Sequence, residues 1–261
     1  MKKIKIFPNI RLLSFYAAEF ITNIANDSIK QRKKFSIALS GGSTPQLLYS
    51  FLADPYFRDI VDWQQIYFFW GDERCVLPDA PESCFQQVNS TFLKNLNLPE
   101  ENIIRIKGEL TPEAAAADYS GRLSAYGNNG LPWPIFDVVI LGLGADGHTA
   151  SLFPNSPETN NVSTVAVTAN YQDRPAQRVS LTPDVFNSAR NVVFLAAGEE
   201  KSQAVFDTIC GPVDHQKLPA QRIHPDGGNL LWLLDKDSAK LLPGKIAGYS
   251  VEIKENKLQV N

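Results

Sequence analysis

The stretch Phe136 to Pro154, FDVVILGLGADGHTASLFP, decides how this chain is read. Val138, Val139, Ile140 and Leu141 form a short apolar run rich in β-branched residues. Such a run, bounded by glycine, predicts a buried strand. It breaks at Gly142 and Gly144 and delivers Asp146, Gly147, His148 and Thr149 just beyond. In open parallel sheets, ligands bind outside the carboxyl ends of the strands. An acid and an imidazole at such a tip therefore have the layout of an active-site edge. Imidazole also has an ordinary pKa suited to acid–base work near neutrality. The plainer reading is a turn with an unremarkable loop histidine. A dinucleotide fingerprint is incomplete here, because His148 and Thr149 follow Gly147 where a further glycine is required.

Two other segments carry comparable chemistry. In Phe35 to Pro45, FSIALSGGSTP, Ile37, Ala38 and Leu39 read as a buried strand. Ser40, Gly41, Gly42, Ser43 and Thr44 form a small polar turn. Pro45 suits a first helical position, where a missing N–H costs nothing. An amphipathic helix, Gln46 to Leu52, is expected to follow. Backbone N–H groups, glycines and hydroxyls at a helix start offer an anion site. No lysine follows in the Walker-A manner, which argues against a nucleotide P-loop. The plainer reading is a capped strand-to-helix turn.

In Ile66 to Arg74, IYFFWGDER, an apolar and aromatic run reads as a central strand ending at Gly71. Asp72, Glu73 and Arg74 then fall at its tip, on the sheet edge shared with the other two segments. Arginine offers a planar, permanently charged fork for phosphate or carboxylate. The alternative is a solvated loop with a local ion pair.

SGGSTP, GDER and GADGHTASLF, in this order, resemble the 6-phosphogluconolactonase family, which shares its fold with glucosamine-6-phosphate deaminases and isomerases. Gln177 to Pro183, QRVSLTP, and Asn191 to Lys201, NVVFLAAGEEK, are similar to further family segments. The likeness runs from about Phe35 to Lys201. The deaminases read more like DEY where this chain has GDER, and DGHIAFNEP where it has DGHTASLFP. Arg74, Ser151, Leu152 and Phe153 thus favour the lactonase side. One departure stands out. Family members often carry a lysine followed by prolines before the QRVSLT strand, and here the stretch is Gln172, Asp173, Arg174, Pro175. Arg174 is the candidate replacement.

The resemblance implies hydrolysis of 6-phospho-D-glucono-1,5-lactone, with no metal and no cofactor. It implies His148 as general base and later acid, and Asp146 as ring-orienting or turn residue, the turn being favoured. Asp72 is implied at the sugar hydroxyls. Gly41, Gly42, Ser43, Thr44, Arg74 and Arg174 are implied at the phosphate. Backbone N–H groups around Gly142 to Gly147 are candidates for the oxyanion. Two alternatives remain: a deaminase or isomerase with Asp72 as base, and a non-catalytic sugar-phosphate sensor. No basic DNA-binding segment supports the sensor.

Composition sets the frame. A chain of 261 residues with 44% apolar content can bury a large core. A formal net charge of −3 gives no reason to expect nucleic acid or anionic membrane as partner. Cys75, Cys84 and Cys210 show no CxxC spacing and read as reduced thiols of a cytoplasmic protein. Cys75 adjoins Arg74, an arrangement that would lower a thiol pKa. Three histidines make no metal cluster. Lys2 and Lys3 precede an apolar run too short for a signal peptide, so Ile4 to Phe7 reads as an edge strand. No stretch approaches the roughly 20 apolar residues of a membrane helix.

Strands and helices alternate along the chain. Helices are expected over Leu12 to Lys30, Cys84 to Leu96, Pro112 to Tyr126 and Lys201 to Thr208. Further strands are expected near Ile103 to Ile106, Val165 to Thr168, Arg178 to Leu181, Val192 to Ala196 and Leu230 to Leu234. Tyr249 to Val260 suggests a terminal hairpin. The alternation predicts a three-layer α/β/α, Rossmann-like architecture: a mostly parallel sheet with helices on both faces. No composition shift marks a boundary, so residues 1–261 read as one domain, in a monomer or small homo-oligomer.

Overall fold

The computed structural model describes residues 1–128, 130–169, 171 and 174–255. The strands are β1 (Lys2–Phe7), β2 (Phe35–Leu39), β3 (Ile66–Trp70), β4 (Asp72–Arg74), β5 (Ile103–Ile104), β6 (Val138–Gly142), β7 (Thr164–Thr168), β8 (Gln177–Leu181), β9 (Asn191–Ala196), β10 (Asn229–Asp235) and β11 (Ser250–Ile253). The helices are α1 (Ile10–Arg32), α2 (Ser43–Ala53), α3 (Pro55–Arg58), α4 (Cys84–Thr91), α5 (Pro112–Ser124), α6 (Pro183–Asn187) and α7 (Ser202–Cys210).

Eight strands form one sheet in the order β11-β1-β10-β9-β6-β2-β3-β5, and its pairings are parallel. The expected α/β fold with a mostly parallel sheet is therefore the one adopted. Central strands β6, β9 and β10 are apolar along nearly their whole length and buried, as a sheet covered on both faces requires. From β2 the chain builds outward through β3 to β5. From β6 it builds the opposite way through β9 to β10. The direction reverses between β2 and β6, so a crevice opens where their carboxyl ends diverge.

Several expectations are corrected. β1 is not an edge strand, because β11 pairs outside it. The described part of the tail, Ser250–Ile253, is that parallel strand; the rest of the hairpin expected over Tyr249 to Val260 falls on residues 256–261, which lie outside the described set. Asp72–Arg74 is not a loop but a strand of a second, antiparallel sheet ordered β4-β8-β7. β7 and β8 also belong to that sheet and not to the large one. Gly71 links the two: its N–H donates to Leu39 O at 2.8 Å, and its carbonyl accepts from Leu181 N at 2.8 Å. The helix after β2 begins at Ser43, two residues before Pro45. Gly42, with φ of 106°, turns the chain into it and leaves Pro45 within the first turn, where no N–H partner is needed.

Candidate active site

The loops after β2 and β6 face each other across the crevice, and β4 and β8 close one side. Gly41, Gly42, Ser43, Thr44, Asp72, Arg74, His148 and Arg174 line this one cleft. Asp146 lies behind His148, bonded to it. All of the expected site residues are therefore brought together.

The turn after β6 is built around the imidazole. Asp146 Oδ1 accepts from the His148 backbone N–H at 3.1 Å and lies 2.5 Å from ring Nδ1. The turn role and the ring contact are thus combined in one carboxylate. With the Nδ1 proton donated to Asp146, Nε2 keeps its lone pair for the cleft. Burial pushes the Asp146 carboxyl up, but its hydrogen bonds and pairing with His148 outweigh this and hold it below its ordinary value. Gly144 admits no side chain: a Cβ there would stand 2.0 Å from His148 Nδ1 and 2.5 Å from Asp146 Oδ1. Gly144 N–H donates to His148 O at 2.8 Å, and the buried Thr149 hydroxyl donates to Gly142 O at 2.8 Å. These bonds fold the loop back on its strand. Phe153 stacks on the imidazole at 4.5 Å, and Tyr171 meets it edge-on at 4.7 Å.

At the start of α2, the Gly42 N–H is already taken by Gln87 Oε1 at 3.0 Å. The groups left at this helix terminus are the N–H of Ser43 and Thr44. Gly41 is fixed by packing, because a Cβ would meet Cys84 Sγ at 2.5 Å.

Strand alternation divides the GDER segment. Asp72 and Arg74 face the cleft. Glu73 faces the other way and receives the N–H groups of Cys84 and Phe85 at 2.7 Å each, and the Ser83 hydroxyl at 3.0 Å. Burial pushes its pKa up against these bonds. Glu73 is thus the staple of the α4 N-terminus, a favourable end for a carboxylate. Asp72 accepts from the Ser151 hydroxyl at 2.7 Å. Arg74 donates from Nη1 to Glu82 O, and its buried Nε has no partner among the described residues.

Arg74 stands directly opposite Arg178 in the β4–β8 ladder. Like charges in that register repel. Arg178 is 4% exposed, and its Nε and Nη2 also lack partners among the described residues. Burial pushes its guanidinium pKa down; Asp72 opposes this, while Arg74 and Arg174 add to it. Lys201 lines the same cleft, its pKa also lowered by burial. Such a group of cations, two of them short of hydrogen-bond acceptors, is complementary to a multivalent anion. Arg178, Lys201, Phe153 and Tyr171 were not singled out from sequence as site residues. The likeness of QRVSLTP and NVVFLAAGEEK to family segments was the available signal for the two cations.

The Cys75 expectation is reversed. Burial, with Glu73 adding to it, pushes that thiol up to about 11, so Arg74 does not activate it. Gln172 and Asp173 lie outside the described residues. Among the described residues, no group of three or more His, Cys, Asp or Glu side chains is placed to hold a metal ion. No helix among them is long and apolar enough to cross a membrane.

The model of the glucosamine-6-phosphate isomerases/6-phosphogluconolactonase family matches residues 9–232. The chain belongs to this family. Within it, the 6-phosphogluconolactonase of Aggregatibacter actinomycetemcomitans is 37% identical over 206 residues, covering 79% of this chain and 87% of that one. The 6-phosphogluconolactonase of Synechocystis sp. is 36% identical over 242 residues, covering 92% and 98%. Among solved structures, the 6-phosphogluconolactonase of Trypanosoma brucei superposes with a TM-score of 0.83 at 30% identity, covering 93% of this chain and 99% of that one. A monomeric glucosamine-6-phosphate deaminase has a TM-score of 0.78 at 21% identity, which is likeness of fold alone.

Proposed function

We propose that this chain hydrolyses 6-phospho-D-glucono-1,5-lactone to 6-phospho-D-gluconate, as the names of its relatives suggest. One observation carries the reading: an Asp146–His148 pair faces a cleft whose other wall holds Arg74, Arg178 and the Ser43–Thr44 helix start. His148 Nε2 removes a proton from water as the oxygen attacks the lactone carbonyl. Asp146 stabilises the imidazolium that forms. The tetrahedral oxyanion collapses, the bond from C1 to the ring oxygen breaks, and the imidazolium returns its proton to that oxygen. With His148 as base, no metal or cofactor is required.

The phosphate lies against Ser43, Thr44, Arg74 and Arg178, with Lys201 and Arg174 adding charge; Gly41 and Gly42 shape the loop. Asp72 meets sugar hydroxyls. The chain acts as one domain, residues 1–261, in a monomer or small homo-oligomer, without nucleic acid or membrane as partner. Its three cysteines are free, which supports a cytoplasmic setting.

The test adds freshly generated 6-phosphoglucono-δ-lactone and follows proton release. A rate above the spontaneous one is expected. Ammonia release from glucosamine 6-phosphate, without lactone hydrolysis, would assign the chain to the deaminase branch instead.

A further inference from the structure

One aromatic ring touches both poles of the cleft. Phe153 stacks on His148 with ring centroids 4.5 Å apart and planes inclined by 26°. The Arg178 guanidinium carbon lies 5.3 Å from the centroid of the same ring. Tyr171 packs against both members of the stack, 4.7 Å from His148 and 5.7 Å from Phe153. The imidazole occupies the space that a Cβ on Gly144 would take, 2.0 Å from Nδ1.

Arg178 is an unusual neighbour for such a stack. Its partner across the ladder is Arg74, a like charge. No carboxylate among the described residues is within ion-pair distance of it, and two of its nitrogens lack acceptors. The Phe153 face is thus a cation–π contact of a guanidinium that has no ion-pair partner among the described residues. An arriving dianion supplies the missing acceptors and draws the guanidinium into charge-assisted hydrogen bonds. The ring against which that guanidinium rests also sets the plane of the imidazole.

We propose that Phe153 is a positioning residue that couples phosphate binding at Arg178 to the alignment of His148. The phosphate then activates the hydrolytic centre as well as anchoring the substrate. Binding energy from a remote, non-reacting group is in this way spent on orientation at the reacting carbon. This inference rests on the reading of the cleft as a phosphate site beside a general base.

The test presents the substrate in two pieces: D-glucono-1,5-lactone, which lacks phosphate, and phosphite dianion. The uncatalysed rate at each phosphite concentration is subtracted. Saturating phosphite should raise kcat/KM for the lactone by at least about fivefold. In Phe153→Leu, which keeps apolar bulk but has no ring face, the rise should fall below about twofold, while Phe153→Tyr should retain it. A Leu variant that loses activity equally with and without phosphite, keeping the full rise, overturns the coupling and leaves Phe153 a packing residue. Should that variant not fold, the imidazole signals of the parent decide by NMR. Phosphite must shift His148 and leave His215 and His224 unmoved; an unmoved His148 overturns the proposal. Phosphite that competes with the phosphorylated lactone yet activates nothing refutes the coupling and spares the phosphate site. Phosphite that does not compete at all refutes both.

Discussion

Ser151 donates its hydroxyl hydrogen to Asp72 Oδ2 at 2.7 Å, and both side chains are buried although 79 residues separate them. The bond ties the loop after β6 to β4, and so one lip of the cleft to the other. Ser151→Ala removes the donor and leaves a buried carboxylate short of a partner. Its cost should be about 1.5–3 kcal/mol, read as a lower denaturation midpoint at unchanged slope. A midpoint equal to the parent's would show that the bond is not formed in solution.

His148→Ala and His148→Asn should lower kcat by about 10² to 10⁴ while the circular dichroism spectrum and Tm stay near those of the parent. His215→Ala and His224→Ala serve as controls and should leave kcat unchanged. A folded His148 variant with near-normal kcat would remove this residue from the mechanism.

Two glycines of one loop should behave oppositely. At Gly144 an added methyl falls on the imidazole, 2.0 Å from Nδ1, whereas at Gly142 nothing lies within 4 Å. Gly144→Ala should therefore lose kcat almost as severely as His148→Ala, with KM little changed. Gly142→Ala, whose methyl meets no protein atom, should leave the imidazole in place and cost much less kcat in the same assay. Equal effects would mean that the loop does not hold the imidazole where the structure has it.

Asp146 carries a pH signature. Its carboxyl lies below its ordinary value in the folded chain. The pairing therefore adds stability above the unfolded pKa of about 3.9, and this is lost as pH falls through the lower folded value. The Tm gap between parent and Asp146→Asn should be open at about pH 5 and close below about pH 4. With 34% of this side chain exposed, the gap itself should be small. A gap that widens on acidification would contradict the assignment.

At the anion pole, function and stability should trade. Arg74→Ala should raise KM for the phosphorylated lactone more than it lowers kcat, because a phosphate contact exists in both ground and transition states, whereas Arg178→Ala should also lower kcat, because the alignment of His148 depends on it. Arg178→Met should also raise the stability of the ligand-free chain, by on the order of 1 kcal/mol, since it replaces a buried cation set against Arg74 with an apolar side chain. Calorimetry without ligand checks the sign. A destabilised Arg178→Met would mean that the arginine is held by contacts other than those seen.

The large parallel sheet was readable because its strands are continuous apolar runs: Val138 to Leu141, for instance, cannot be satisfied except by cover on both faces. The three loops that line the cleft were readable because glycine and charge are concentrated at those strand ends. The second sheet was not. Asp72 to Arg74 has only three residues, all charged, and nothing local signals that its partner is Gln177 to Leu181. The same holds for Arg178, whose meaning comes from standing across from Arg74. Glu73 read as part of a charged tip, although alternation in so short a strand turns it away from the cleft and onto α4.

The position of β1 has a consequence for how the chain acquires its shape. Its neighbours are β10 and β11, and Met1 N donates to Gly228 O across 227 residues. At about 5–20 residues per second, the ribosome needs roughly 10–50 s to make that intervening length. For this period β1 has neither of its native partners. The sheet cannot be completed in the order of its synthesis, because β1 can be inserted only once β10 and β11 have been made. The alternating lysines of KKIKIF keep one face of it charged during the wait, which disfavours pairing with another nascent chain.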